Sequence, residues 1–216
     1  MFDVNETLSD MSPLQERFAE IGAPPHMFQL WFAGVLRDGF ALTTAGAFAD
    51  FSDVARAGLR ALLSSVPGWS GDGEQAAAHV LDGLSCLAVH PDVPDGVRAL
   101  HESGCRLVTM TNGSSQLSKR LLARAGLTDC FESHLDVGGP QRWKPAPAAC
   151  QYVVEQAGVR PDEAVLVAVH PWDIDGARRA GLGGAWLCRN AAEYPQVMLP
   201  PTYTVDDLRA LASALV

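Results

Sequence analysis

The chain has 216 residues, 48% hydrophobic and 19% charged, a globular balance that excludes a disordered chain and can bury a core without staples. Its 16 Lys and Arg against 25 Asp and Glu leave a formal net charge of −9, which argues against nucleic-acid binding but not against a small anion in a locally positive pocket. No apolar run reaches membrane-spanning length and no basic-then-apolar leader precedes the first motif.

Residues 2–8, FDVNETL, place the carboxylate of Asp3 behind a hydrophobic residue, with Asn5, Glu6 and Thr7 close after it. This reads as the end of a first β-strand, a short one, since only Met1 and Phe2 come before Asp3. The pattern then changes. Helical spacing is predicted within 12–22, 26–42, 51–66 and 73–84, punctuated at Pro24-Pro25, Gly46, Pro67-Gly68 and Gly71. Four consecutive helices without strands are most simply an insert. After it, residues 105–111 read as a buried strand and 114–126 as a helix. Pro147 suits the first turn of a further helix. A strand is predicted over 164–169, a helix over 174–182, a strand over 183–190 and an amphipathic terminal helix over 204–216. Strands alternating with helices imply βαβ units, a parallel sheet with helices on both faces, and ligands beyond the carboxyl ends of the strands. The fold class expected is therefore α/β: a Rossmann-like core of residues 1–13 and 92–216 with an all-helical insert over 14–91. Five cysteines (Cys86, Cys105, Cys130, Cys150 and Cys188) are scattered without CxxC spacing. Neither a disulfide framework nor a zinc site is expected, and a reducing, cytoplasmic setting is.

In such a sheet Asp3, Thr111, Asn112, Lys144 and Asp173 converge at one edge. An acid, a hydroxyl, a cation and a second acid suit nucleophilic catalysis by a carboxylate. Taken singly, Asp3 reads equally as a turn residue, and Thr7 and Asp173 as helix caps.

Four short motifs stand in order: D-x-x-x-T (Asp3 to Thr7), T-N-G (Thr111, Asn112, Gly113), K-P (Lys144, Pro145) and W-D-x-x-G-A-R (Trp172, Asp173, Gly176, Ala177, Arg178). With a helical insert between the first two, the chain resembles the haloacid dehalogenase superfamily, in its L-2-haloacid dehalogenase-like branch with a helical cap. The resemblance implies metal-free, cofactor-free hydrolysis of a short halogenated carboxylate. Asp3 attacks carbon to give an ester, and water then cleaves that ester. Lys144 holds Asp3 ionised, because a nearby cation lowers a carboxylate's pKa. Thr7 positions Asp3, Thr111 and Asn112 hold a substrate carboxylate, and Asp173 orients Lys144 or the water. Asn5 is placed with the substrate-binding residues. The resemblance also suggests a homodimer, with no nucleic-acid or membrane partner.

The phosphatases of that superfamily carry D-x-D in the first motif, where this chain has Asn5, which cannot exchange a proton. Their last motif supplies an extra acid; here Ala168, Val169, His170, Pro171 and Trp172 precede Asp173. Asp175 falls inside the predicted helix and is expected to point elsewhere. Magnesium wants several oxygen ligands, so a magnesium-dependent phosphatase is the second reading. A fold that has lost its chemistry and acts as a binding module is the third.

Departures from the dehalogenase pattern motivate that third reading. The cap arginine expected after the tryptophan is missing from Leu30-Trp31-Phe32, and Arg37, five residues on, is rotated by roughly 140°. Cys150 replaces a tyrosine, and Ala168 and His170 replace a serine and an asparagine. His170 suits a general base, with an ordinary pKa of about 6.5, or as imidazolium a halide holder. Trp172 either donates its indole N–H to a leaving anion or packs. Phe32, in an aromatic stretch with Trp31 and Phe40, either packs the insert or walls an apolar substrate.

Overall fold

The buried, β-branched run at Val108–Thr111 (β1) and the apolar Val165–Ala168 (β3) are the strands expected for a sheet covered on both faces. A computed structural model describes residues 1–189 and 192–215. The chain divides into two compact units, residues 1–9 with 88–216, and residues 10–87.

In the first unit β1 pairs in parallel with Ser133–Asp136 (β2). On the other side of the sheet β3 pairs with Gly183–Leu187 (β4), which pairs with Tyr203–Val205 (β5), again in parallel. The N-terminal segment joins the two halves, as Phe2 bridges both Thr109 and Val167. Its backbone is bonded on both sides: Phe2 N–H donates to Val108 at 2.8 Å and Met110 N–H to Phe2 at 2.8 Å. Asp3 N–H donates to Val167 at 3.0 Å and Val167 N–H to Met1 at 2.9 Å. Three residues thus sit at the centre of the sheet, and Asp3 emerges from its carboxyl end.

Five helices accompany the sheet among the described residues: α5 (Val93–Glu102), α6 (Ser115–Arg124), α7 (Pro147–Ala157), α8 (Pro171–Arg179) and α9 (Leu208–Leu215). Phe2, Leu8, Val97, Leu122, Val167 and Leu211 belong to one buried cluster between sheet and helices. The second unit is all-helical, with α1 (Leu14–Glu20), α2 (Met27–Thr44), α3 (Phe51–Ser64) and α4 (Gly73–Gly83). Asp72 caps α4 by accepting from Glu74 N–H at 2.8 Å and Gln75 N–H at 3.1 Å. Phe18, Phe28, Trp31, Phe32 and Phe51 form its aromatic core. Trp31 donates its indole N–H to Ala55 O at 2.9 Å.

Several boundaries differ from the sequence expectation. The terminal helix predicted from residue 204 starts at Leu208, and Tyr203–Val205 is a strand. Asp207 explains the stop between them, since its carboxylate caps the helix by accepting from Ala210 N–H at 2.7 Å. β2 is not evident from sequence, because Ser-His-Leu-Asp has a single apolar residue and is only half-buried throughout. The strand expected over 183–190 ends at Leu187; Asn190 and Val216 lie outside the described residues. Among the described residues no helix is long and apolar enough to cross a membrane.

Candidate active site

Asp3 leaves the sheet buried, and the chain turns at once, with Leu8 and Ser9 N–H both donating to Val4 O at 2.9 and 3.0 Å. That turn brings Thr7 back beside Asp3. The Thr7 hydroxyl donates to Asp3 Oδ2 at 2.7 Å and accepts from Val169 N–H at 3.1 Å, past the end of β3. Both of its hydrogen-bonding capacities are used, which fixes the Asp3 carboxylate from one side.

Lys144 fixes it from the other. Its side chain is 1% exposed, and Nζ donates to Asp3 Oδ1 at 2.8 Å and to Asp173 Oδ2 at 2.6 Å. The backbone carrying it is clamped by Asn112. Lys144 N–H donates to Asn112 Oδ1 at 2.8 Å, and Asn112 Nδ2 donates to Lys144 O at 3.3 Å. The neighbouring Thr111 hydroxyl accepts from Gly113 N–H at 2.9 Å. Asn5 lies on the same loop edge: a Cβ added to Gly113 would be 3.3 Å from its side-chain nitrogen.

Asp173 sits in the first turn of α8, where the helix's positive end suits a carboxylate. The helix reaches this position only because residue 176 has no side chain. A Cβ on Gly176 would lie 2.4 Å from Pro145 Cβ and 2.8 Å from Pro145 O. Gly176→Ala is therefore expected to destabilise the protein by about 1–3 kcal/mol, measured by urea denaturation. Because Pro145 follows Lys144, the same change should also displace the ammonium from the two carboxylates.

His170 precedes α8. Its Nε2 lies 2.8 Å from Glu6 Oε2, and its Nδ1 lies 3.4 Å from Asp3 Oδ2, an ion-pair separation rather than a well-formed hydrogen bond. Trp172 packs against the ring, with centroids 5.0 Å apart and planes inclined by 31°. Asp175 is turned away from this cluster, towards Arg179 Nε at 2.8 Å and Leu199 N–H at 2.8 Å.

Burial opposes charge on every member of the cluster, yet the pairing decides its state. Desolvation would raise the pKa of Asp3, but Lys144 and His170 hold it well below the usual carboxylate range. For Lys144, burial lowers the pKa, while Asp173 and Asp3 more than offset this and raise it. Asp173 is shifted upward by burial, which Lys144 counters only in part. His170 is pushed up to about 9: burial lowers it, and its bonds to Asp3 and Glu6 prevail. Cys150, buried on α7, has its thiol pushed up to about 12 by burial and then by Asp173, so it stays neutral.

The structure thus brings together Asp3, Thr7, Lys144, Asp173, His170, Thr111, Asn112, Asn5 and Trp172 at the carboxyl ends of β1 and β3. Phe32 lies in the helical unit's own core, 5% exposed, stacked on Phe28 at 6.2 Å and tilted against Phe51 at 6.5 Å. Arg37, also in that unit, is 74% exposed and pairs with Asp38 at 2.8 Å. Glu6 carries no signal in the sequence beyond its place in the short turn between Asp3 and Thr7. Among the described residues no group of three or more His, Cys, Asp or Glu side chains is set to hold a metal ion.

Residues 1–181 match the family model of haloacid dehalogenase-like hydrolases. Haloacetate dehalogenase H-2 of Moraxella sp. (strain B) is 27% identical over 138 residues, which are 64% of this chain and 62% of that relative. In that alignment the chain spans less than two thirds of the relative's length. A (S)-2-haloacid dehalogenase of Xanthobacter autotrophicus is 28% identical over 195 residues, 89% of this chain and 76% of the relative. The solved L-2-haloacid dehalogenase from Xanthobacter autotrophicus, with chloropropionic acid covalently bound, superposes with a TM-score of 0.88 at 23% identity, covering 99% of this chain and 96% of that one.

Proposed function

The chain belongs to the haloacid dehalogenase-like hydrolase family, and on that premise we propose that it hydrolyses a short 2-haloalkanoic acid through an ester on Asp3, without a metal ion. The observation that carries this reading is the buried ammonium of Lys144, 2.8 Å from Asp3 and 2.6 Å from Asp173. Its single charge is shared between the two carboxylates, and His170 faces Asp3 as well, so the chain itself supplies their cationic partners. Asn5, two residues after the nucleophile, supplies no acid for a leaving phosphoester oxygen. The relatives named as haloacid and haloacetate dehalogenases support the same reading, as does the covalent chloropropionic acid in the Xanthobacter enzyme.

In this mechanism Asp3, ionised by Lys144 and held by Thr7, attacks the carbon bearing the halogen. The carbon–halogen bond breaks and halide leaves with the bonding electrons. Water then adds at the Asp3 carbonyl carbon, with His170 as base. Asp173 keeps a buried oxygen, Oδ1, without a hydrogen bond among the described residues, an acceptor able to orient that water. Thr111 and Asn112 shape the loop that receives the substrate carboxylate, and Asn112 does so by holding Lys144 in place. Trp172 packs behind His170 and lines the same end.

Halide release from both 2-chloropropionate enantiomers and from haloacetates, with and without EDTA, tests this. Activity unchanged by EDTA is expected. Attack at carbon inverts that centre once, so an active (S)-2-chloropropionate must give (R)-lactate. EDTA-sensitive release of phosphate from an aryl phosphate, without halide release, would replace the proposal with a phosphatase.

A further inference from the structure

None of the roles proposed for Asp3, Lys144 or His170 uses Glu6. Its backbone has φ +62°, the left-handed region that glycine enters freely and side-chain-bearing residues enter at a cost. Such conformations persist where the surroundings over-determine them, commonly at functional sites. Two contacts do so here. The Glu6 carboxylate meets His170 Nε2 at 2.8 Å, and the Glu6 carbonyl accepts from His90 Nε2 at 3.0 Å.

His170 therefore has a carboxylate at each ring nitrogen, Glu6 at Nε2 and Asp3 at Nδ1. A neutral imidazole carries one N–H. With that proton on Nε2 towards Glu6, the Nδ1 lone pair would face an anionic oxygen of Asp3. Both contacts attract only when both nitrogens are protonated. The other charges nearby do not change this: Asp173 is tied to Lys144, and Lys144 is shared with Asp3. The ring is 14% exposed and backed by Trp172, so bulk water offers little alternative partnering.

We infer that Glu6 is a positioning residue for His170, and that esterification of Asp3 converts this histidine from a cation into a base, so the base exists only after the carbon–halogen bond has broken. This rests on the Asp3-ester reading. Alkylation by itself consumes a carboxylate and releases halide, with no proton. It also removes the anion facing Nδ1, so the Nδ1 proton leaves for solvent. Neutral His170 then takes a proton from water as the hydroxyl adds to the ester carbonyl carbon. The tetrahedral adduct collapses, its remaining hydroxyl proton passing to the departing alkoxide. Asp3 returns as a carboxylate, His170 as imidazolium, and the net products are hydroxy acid, halide and one proton. Glu6, bonded to Nε2, holds Nδ1 aimed at the Asp3 carboxyl.

The order of proton and halide release tests this. A rapid-mixing experiment in weakly buffered indicator at about pH 8 lies between the ordinary histidine value of about 6.5 and the resting value of about 9. A proton should appear with the first-turnover halide, before ester hydrolysis. His170→Asn should delay that proton until hydrolysis and accumulate the ester, visible by intact mass. Glu6→Gln should keep the first-turnover halide, shrink the early proton, slow hydrolysis about tenfold or more, and move its pH dependence downward. Glu6→Gly, which relaxes the backbone, should behave like Glu6→Gln if the charge is what matters. A wild-type halide burst with no accompanying proton, or full hydrolysis rates in both Glu6 variants, would overturn the inference. Absence of any halide burst or ester would instead overturn the Asp3-ester reading, and this inference with it.

Discussion

Asp3→Asn is expected to abolish halide release, with a loss of at least about a thousandfold, the scale seen when a nucleophile is removed. Asparagine keeps the shape and can still accept from Lys144, but its amide cannot displace halide from carbon. The protein should remain folded, because Lys144 retains Asp173 at 2.6 Å and the backbone ladder through Phe2 is untouched. Two measurements separate this from simple damage: unchanged thermal unfolding within a few degrees, and no substrate adduct by intact mass. Retained activity would mean that another group attacks.

Lys144→Met should have the second large effect, on activity and stability together. Methionine fills the space but leaves Asp173 buried without a cation and Asp3 with His170 alone. Breaking a buried pair in this way costs about 3–5 kcal/mol. The pH dependence should also steepen. In the wild type, Asp3 has a depressed folded pKa, so its contribution is present above its unfolded value of about 3.9 and is lost as pH falls through the folded one. In the variant, Asp3 keeps only His170 as a counter-ion, and Asp173, already raised by burial, loses the cation that opposed the rise. The contribution of Asp173 is then full below about 3.9 and lost as pH rises towards the folded value. The variant should therefore lose more stability than the wild type between pH 5 and 8, beyond the decline that His170, raised to about 9, imposes on both proteins as pH rises above about 6.5. Denaturant unfolding at several pH values reads this directly, and a parallel dependence in both proteins would contradict it.

Asp3, Lys144 and Asp173 are legible from sequence because they stand in short motifs in a fixed order, beside strands and helices that the hydrophobic pattern reveals. A parallel sheet then forces such positions to one edge. The four helices of the insert were legible for a similar reason, since their apolar spacing and Gly-Pro punctuation are local. What the sequence could not disclose depends on long-range partners. β2 has too little apolar character to announce itself and is a strand because β1 accepts it. The Asn112 clamp on Lys144 joins residues 32 apart, so Asn112 read simply as a loop residue facing a ligand. Glu6 was hidden for another reason: nothing local says that its carboxylate meets a histidine 164 positions later. Phe32 read as either core or substrate wall, and its ring contacts are those of core packing within the helical unit.

The N-terminal segment bridged into the centre of the sheet has a consequence for biogenesis. Met1 and Phe2 find their partners only when Val108 and Val165 are already aligned, and closing loops of that length is slow. During synthesis this segment must wait for most of the chain that follows it before it can dock. Competence for chemistry is then the last property the molecule acquires, trailing the appearance of its helices.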